Sequence, residues 1–145
     1  MLNRVFMFFL FLLVSTATVA SELDLKIDML VRDTVSWDGG KYSYPQGDAE
    51  IAVIRLGIPK GYQIKNHCHT IPLAAYVTKG QLQVETNAGE KRTFNEGEAF
   101  IEVMNTIHHG LGMADETELI VVYMGAKGVP LSVKPENETF KQHCK

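Results

Sequence analysis

Gly61-Tyr-Gln-Ile-Lys-Asn-His67-Cys-His69 and Gly97-Glu-Ala-Phe-Ile-Glu-Val-Met-Asn-Thr-Ile-His108-His109 are the two stretches that decide how this chain is read. Side chains alternate between the faces of an extended strand, so His67 and His69, two apart, project to one side. A second strand or turn then has to carry His108 up to meet them, which gives three imidazoles on one face of a single metal ion. A lone histidine is commonly a satisfied core residue, but three in this arrangement are hard to explain by packing. His109, next to His108, faces the other way and reads as a surface or rim residue.

The first 20 residues are set apart from the fold. Arg4 precedes an apolar run from Val5 to Val14, and Thr18 and Ala20 are the small residues of a cleavage site before Ser21. This is the pattern of a secretory signal peptide, and the run is too short for a membrane span of about 20 apolar residues. The mature product is therefore expected to be periplasmic or secreted, with no membrane association after cleavage. With 46% apolar and 21% charged residues and a net charge of -3, the chain has the balance of a globular domain. A pI near 5.9 with scattered Lys and Arg excludes the basic stripe of a nucleic-acid binder.

Short extended segments follow one another: Leu25–Val31, Glu50–Leu56, Pro72–Thr78, Gln81–Thr86, Lys91–Phe94, Ala99–Val103 and Glu118–Met124. Turn signals separate them at Gly57-Ile-Pro59-Lys-Gly61, Lys79-Gly80 and Asn87-Ala-Gly89-Glu. Outside the signal no window has a 3.6-residue apolar period, so the class is all-β, a sandwich or barrel. The expected organisation is a signal peptide over 1–20, an N-terminal strand and loop covering the barrel over 21–48, the barrel over 49–126, and a tail over 127–145. The stretch Val35–Gly47, with Trp37, Tyr42 and Tyr44, reads as a loop over one barrel end, the alternative being an aromatic lip over a pocket. Asn137-Glu138-Thr139 is a glycosylation sequon in a host that glycosylates.

Export places Cys68 and Cys144 where disulfides persist. Three readings stand open: a bridge between them, two free thiols, or Cys68 as a thiol of the metal site. Strand alternation turns Cys68 away from the face of His67 and His69.

The two histidine segments resemble the two motifs of the cupin superfamily. The first motif is a Gly, five residues, His-x-His, three or four residues, Glu, six residues and Gly; Gly61, His67, His69 and Gly80 match it in register. The second is a Gly, five residues, Pro-x-Gly, two residues, His, three residues and Asn. Gly97 and His108 match, with Val103, Asn105 and Gly112 in place of Pro, Gly and Asn. The resemblance spans roughly residues 50 to 125 and implies a cupin-type β-barrel, a double-stranded β-helix or jelly roll. It further implies a homodimer, since single-domain cupins usually pair barrels through a sheet edge, a pairing that would protect Leu25–Val31 as an exposed strand.

The motif's metal-binding Glu is replaced by Leu73. Leu73 shares the parity of His67 and His69, so an apolar side chain points where an anionic ligand would sit. Three neutral imidazoles leave the charge of a divalent ion uncompensated, which favours an anionic or chelating substrate. Imidazole suits Fe, Zn, Cu and Ni alike; Fe(II) is the first choice by analogy with cupin dioxygenases that act on thiols or diketones through three histidines.

Gln63 and Lys65 also share the parity of His67. Gln63 is expected in the pocket beside a metal-bound water, Lys65 is expected to snorkel to the barrel mouth, and Glu102 reads as a solvated strand residue. Ile71, Leu73, Val77, Leu82, Val84, Phe100 and Val122 are expected to line an apolar pocket whose polar floor is the metal. Two functions fit: an exported small-molecule enzyme of the three-His dioxygenase type, or a non-enzymatic protein that captures or senses a small ligand in the barrel.

Overall fold

The computed structural model describes residues 24–145, so the stretch 1–20, expected to be a signal peptide, lies outside the described residues. Seven strands follow in order: β1 (Ala49–Pro59), β2 (Leu73–Lys79), β3 (Gln81–Thr86), β4 (Lys91–Asn95), β5 (Ala99–Ile101), β6 (His108–Gly112) and β7 (Glu116–Ala126). One short helix, α1 (Phe140–His143), lies near the C-terminus. All pairings are antiparallel, in two sheets ordered β1-β7-β2-β5 and β4-β3-β6. No helix among the described residues is long and apolar enough to cross a membrane.

The period-two patterning of the strands builds the space between the sheets. On β1, Ala52, Ile54, Leu56 and Ile58 turn inward while Ile51, Val53 and Arg55 face out. On β3, Leu82, Val84 and Thr86 are buried and Gln81, Gln83 and Glu85 alternate with them. On β7 the buried residues are Thr117, Leu119, Val121, Tyr123 and Ala126. Val122 therefore points to the outer face, paired with Val53 and Ala74, contrary to the inward position expected for it. At the far end, Phe94 and Phe100 stack with centroids 3.8 Å apart, and Trp37 meets Phe94 edge-on. From the Val35–Gly47 segment, Trp37 packs at that end of the barrel, while Tyr44, Pro45 and Gly47 lie beside Ile51 and Met124.

Two local expectations are corrected. Leu25–Val31 forms no strand; Leu25, Ile27 and Met29 lie exposed and pair with no sheet edge among the described residues. The first turn falls at Lys60 and Gly61 rather than at Gly57, since β1 continues to Pro59 by pairing with Glu116. β6, with only five residues and two glycines, reads poorly as a strand from sequence, yet it pairs with β3 along its whole length.

Backbone conformation and close packing account for two of the departures from the cupin pattern. Asn105 stands where that pattern has Gly, and its φ is +58°, a left-handed conformation that asparagine tolerates better than most residues. Gly112 stands where the pattern has Asn, and a Cβ there would meet the Pro59 carbonyl oxygen at 2.6 Å and Ile58 Cγ2 at 2.9 Å. No larger side chain fits at that position.

The C-terminal residues are fastened to the histidine segment. Cys68 is bonded to Cys144, with Cα atoms 5.8 Å apart, which decides among the three readings of these cysteines. Cys68 and Val133 exchange backbone hydrogen bonds, and Ile107 N donates to the Lys145 carbonyl. Cys68, Val133 and Cys144 form a small apolar cluster with Ile107 and Phe140 packed against it.

Candidate metal centre

His108 opens β6, and His67 lies opposite it in the preceding crossover, the two residues exchanging backbone hydrogen bonds of 2.9 and 3.0 Å. Between the bridge at Gln63 and Leu111 and the one at His67 and His108, the first strand advances four residues and the second three. The extra residue is a bulge, and it reverses the alternation. Gln63 is consequently exposed and absent from the cavity, while Ile64 takes the inward position. Strand parity alone could not place Gln63.

One ligand atom from each of His67, His69 and His108 lies within 4.8 Å of the other two. The ring centroids are 4.4 to 5.1 Å apart. Each Nδ1 faces a backbone carbonyl: His67 that of Lys65 at 2.8 Å, His69 that of Leu131 at 2.7 Å, and His108 that of Thr106 at 2.9 Å. A carbonyl can only accept, so every Nδ1 carries a proton and, in the neutral ring, Nε2 is the nitrogen with the lone pair. Backbone carbonyls of this kind fix the tautomer and orientation of metal-ligating imidazoles.

Electrostatics agree. Burial first, and then the neighbouring His108, push the His67 pKa down to about 4. His69 is held well below the ordinary value by burial and by His108 and His67. Rings that resist protonation present lone pairs to a cation, so the donor set fits a divalent transition metal of borderline softness and does not single one out.

The histidines form the floor of a cavity of about 60 Å³ between the sheets, with Leu56, Leu73, Phe100, Leu119 and Val121 in its walls. Leu73 and Phe100 are where the sequence places them. Val77 is not; it is completely buried in the core and lies outside the cavity wall, because beyond Ala75 the strand enters the packed end where Phe94 and Phe100 stack. Through His67, His69, Leu56, Ile64 and Tyr123 the cavity joins an outer vestibule of about 480 Å³, rimmed by Lys65, Lys134 and Glu136. His109 stands on the opposite face of β6, its Nε2 3.8 Å from Glu85.

Two polar residues of the cavity escape the sequence reading. Tyr123 packs against His69 with centroids 5.7 Å apart, and burial, reinforced by the Glu102 carboxylate, raises its hydroxyl pKa. Glu102, expected in solvent, is only 7% exposed and lines the cavity. Its Oε1 accepts hydrogen bonds from Trp37 Nε1 at 2.7 Å and from Val103 N at 2.9 Å. The signal was present, since Glu102 has the parity of the inward-facing Phe100.

Against known structures, the chain matches an oxalate oxidase at 18% identity with a TM-score of 0.50, covering 59% of this chain and 46% of that one. It matches a chain from a structure of DMSP lyases at 15% identity with a TM-score of 0.51, covering 59% and 44%. A Bacillus halodurans protein matches at 18% identity with a TM-score of 0.50, covering 61% and 71%. These likenesses show the fold: the chain has the cupin-type β-barrel, a double-stranded β-helix. It spans less than half the length of the two enzyme chains it matches. No family profile matches the sequence, and no curated protein sequence does at significant similarity. The place that the cupin motif gives to a carboxylate belongs here to Leu73, a buried wall residue.

Proposed function

We propose that this protein is an exported metalloprotein that holds one divalent transition ion on His67, His69 and His108 and acts on a small molecule as a three-His dioxygenase. The convergence of three imidazoles, each with Nδ1 committed to a carbonyl and its Nε2 lone pair free, carries the reading. Fe(II) is the first choice of metal, and when bound it would supply open positions for substrate and O2. The chain's own groups do the rest. The apolar walls exclude bulk water, and Lys65 and Lys134 at the vestibule favour an anionic substrate. By this measure a water needs about 10–15 Å³, so the inner cavity admits a reacting group of only a few heavy atoms.

Export is supported by the Cys68–Cys144 bridge, which persists in oxidising compartments such as the periplasm or the extracellular space. Homodimerisation is supported by the outer face of β1, an edge strand on which Ile51 and Val53 are 69% and 63% exposed. Sedimentation equilibrium of the mature chain is expected to give twice the monomer mass, and a concentration-independent monomer would remove the dimer.

Oxygen consumption tests the enzyme. Protein reconstituted anaerobically with Fe(II) is offered small thiols, diketones and carboxylates. Uptake is expected with at least one of them, and it should vanish in His108→Ala and in the Zn(II)-loaded protein. Stoichiometric iron with no uptake from any compound would leave the barrel as a binding or sensing pocket.

A further inference from the structure

Glu102 is the unexplained group of the cavity. A carboxylate buried among Leu73, Phe100 and Val121 is costly unless its charge is met, and only one of its oxygens has hydrogen-bond donors. Oε1 takes both, from Trp37 and Val103. Oε2 accepts no hydrogen bond among the described residues and stands 3.9 Å from His108 Nε2. That nitrogen is the lone-pair atom of its ring, since the His108 Nδ1 proton is engaged by Thr106. A carboxylate oxygen 3.9 Å from an imidazole nitrogen, with no direct hydrogen bond between them, leaves room for one cation to be shared by both.

The position in the sheets is as informative as the distance. β2 and β5 pair Ala74 with Ile101, and the ladder runs one step further, Glu102 N donating to the Leu73 carbonyl at 3.2 Å. Leu73 and Glu102 are thus opposite one another on adjacent strands and both line the cavity. Directly opposed residues have Cβ atoms about 4.5–5.5 Å apart, so a carboxylate missing from β2 can be replaced from β5 with little change in where its oxygens fall. Donors bound to one ion at about 2.1 Å are separated by about 3 Å when adjacent and about 4.2 Å when opposed. The 3.9 Å separation lies in that interval.

We propose that Glu102 Oε2 is the fourth protein ligand of the metal, so that the site is three histidines and one carboxylate, with the carboxylate supplied from β5 across the sheet from Leu73. The inference rests on the metal-binding reading of His67, His69 and His108. Trp37, through Nε1, is then a positioning residue that holds Oε1 and leaves Oε2 to the ion, and the carboxylate offsets one of the two positive charges that the imidazoles leave uncompensated.

Glu102→Gln is the informative variant, because its amide oxygen can still accept from Trp37 and Val103 while the anionic ligand is lost. Purified apo-protein is titrated with Zn(II) by calorimetry and with Co(II) while the visible spectrum is recorded, with melting of each apo-protein as a folding control. The expected result is zinc affinity at least tenfold weaker, a Co(II) spectrum altered in band position and intensity as the coordination changes, and an unchanged apo melt. Leu73→Glu combined with Glu102→Gln should recover most of the affinity. Wild-type metal binding with Glu102→Gln indistinguishable in both titrations overturns the carboxylate ligand and leaves the three-His site standing. Weakened affinity with an unaltered Co(II) spectrum also overturns it, because Glu102 would then act only through His108. A wild-type protein that takes up neither ion overturns both readings.

Discussion

Replacing His67 and His108 together by alanine is expected to reduce bound metal from about one ion per chain to none, as read by elemental analysis of the mature protein purified without chelating tags. The two rings face each other across a backbone bridge, and their removal leaves His69 as the last imidazole of the cluster. Binding to the folded state alone stabilises it by about 4 kcal/mol when the free ion is a thousandfold above Kd. The wild-type melting temperature should therefore rise with added metal while that of the double variant stays still. Equal metal in both proteins would disprove the site, whatever the fold.

Acid should oppose the same ion in a defined window. In the metal-free fold His67 takes a proton only near pH 4, whereas in the unfolded chain it does so near 6.5. Above pH 6.5 the ring is neutral in both states and has no effect. Between 6.5 and 4 the unfolded chain binds more protons, so stability falls as pH is lowered, by about 3 kcal/mol for His67 alone. His69 acts in the same direction. The double variant lacks the His67 contribution and should show a flatter stability profile through this range, which denaturant unfolding at a series of pH values would measure.

Cys68→Ala with Cys144→Ala is expected to lower stability by about 4 kcal/mol on the loop-closure argument, because the bridge joins residues 76 apart. For a domain of this size that corresponds to roughly 15 °C in melting temperature. The effect should reach the metal centre as well. Cys68 lies between two of the histidines, and the C-terminal segment it anchors supplies the Leu131 carbonyl that holds His69 Nδ1. Releasing that segment loosens the orientation of His69, so metal affinity should fall about tenfold. Calorimetric melting and zinc titration of the bridge-free variant decide the matter, and a melting temperature within 3 °C of wild type would show that the tail is held by packing alone.

The fold was legible wherever a strand carried its own period. Gln81–Thr86 is a strand with the bounds that alternation assigns it, and Lys79-Gly80 is a turn for a reason local to it: Gly80 has a φ of +74°, and a Cβ there would run into the Glu116 carbonyl. Alternation misled in two ways. Leu25–Val31 has the period of a strand but no partner among the described residues, and a period does not supply one. Gln63 and Val122 were given faces by counting, and counting fails where a bulge intervenes or where the phase of a strand is set by its neighbours.

For the candidate site, sequence alone determined the three histidines as a set, since spacing by two and a second motif are local properties that survive any packing detail. It determined also that Leu73 is no ligand, because no fold can give leucine a lone pair. Tertiary structure decided the rest. That Cys68 reaches Cys144, that the Leu131 carbonyl fixes the His69 tautomer, and that Glu102 stands across from Leu73 are relations between residues far apart in the chain. Such relations depend on the register of one strand against the next, set by the summed packing of two sheets, and no short stretch of sequence contains them.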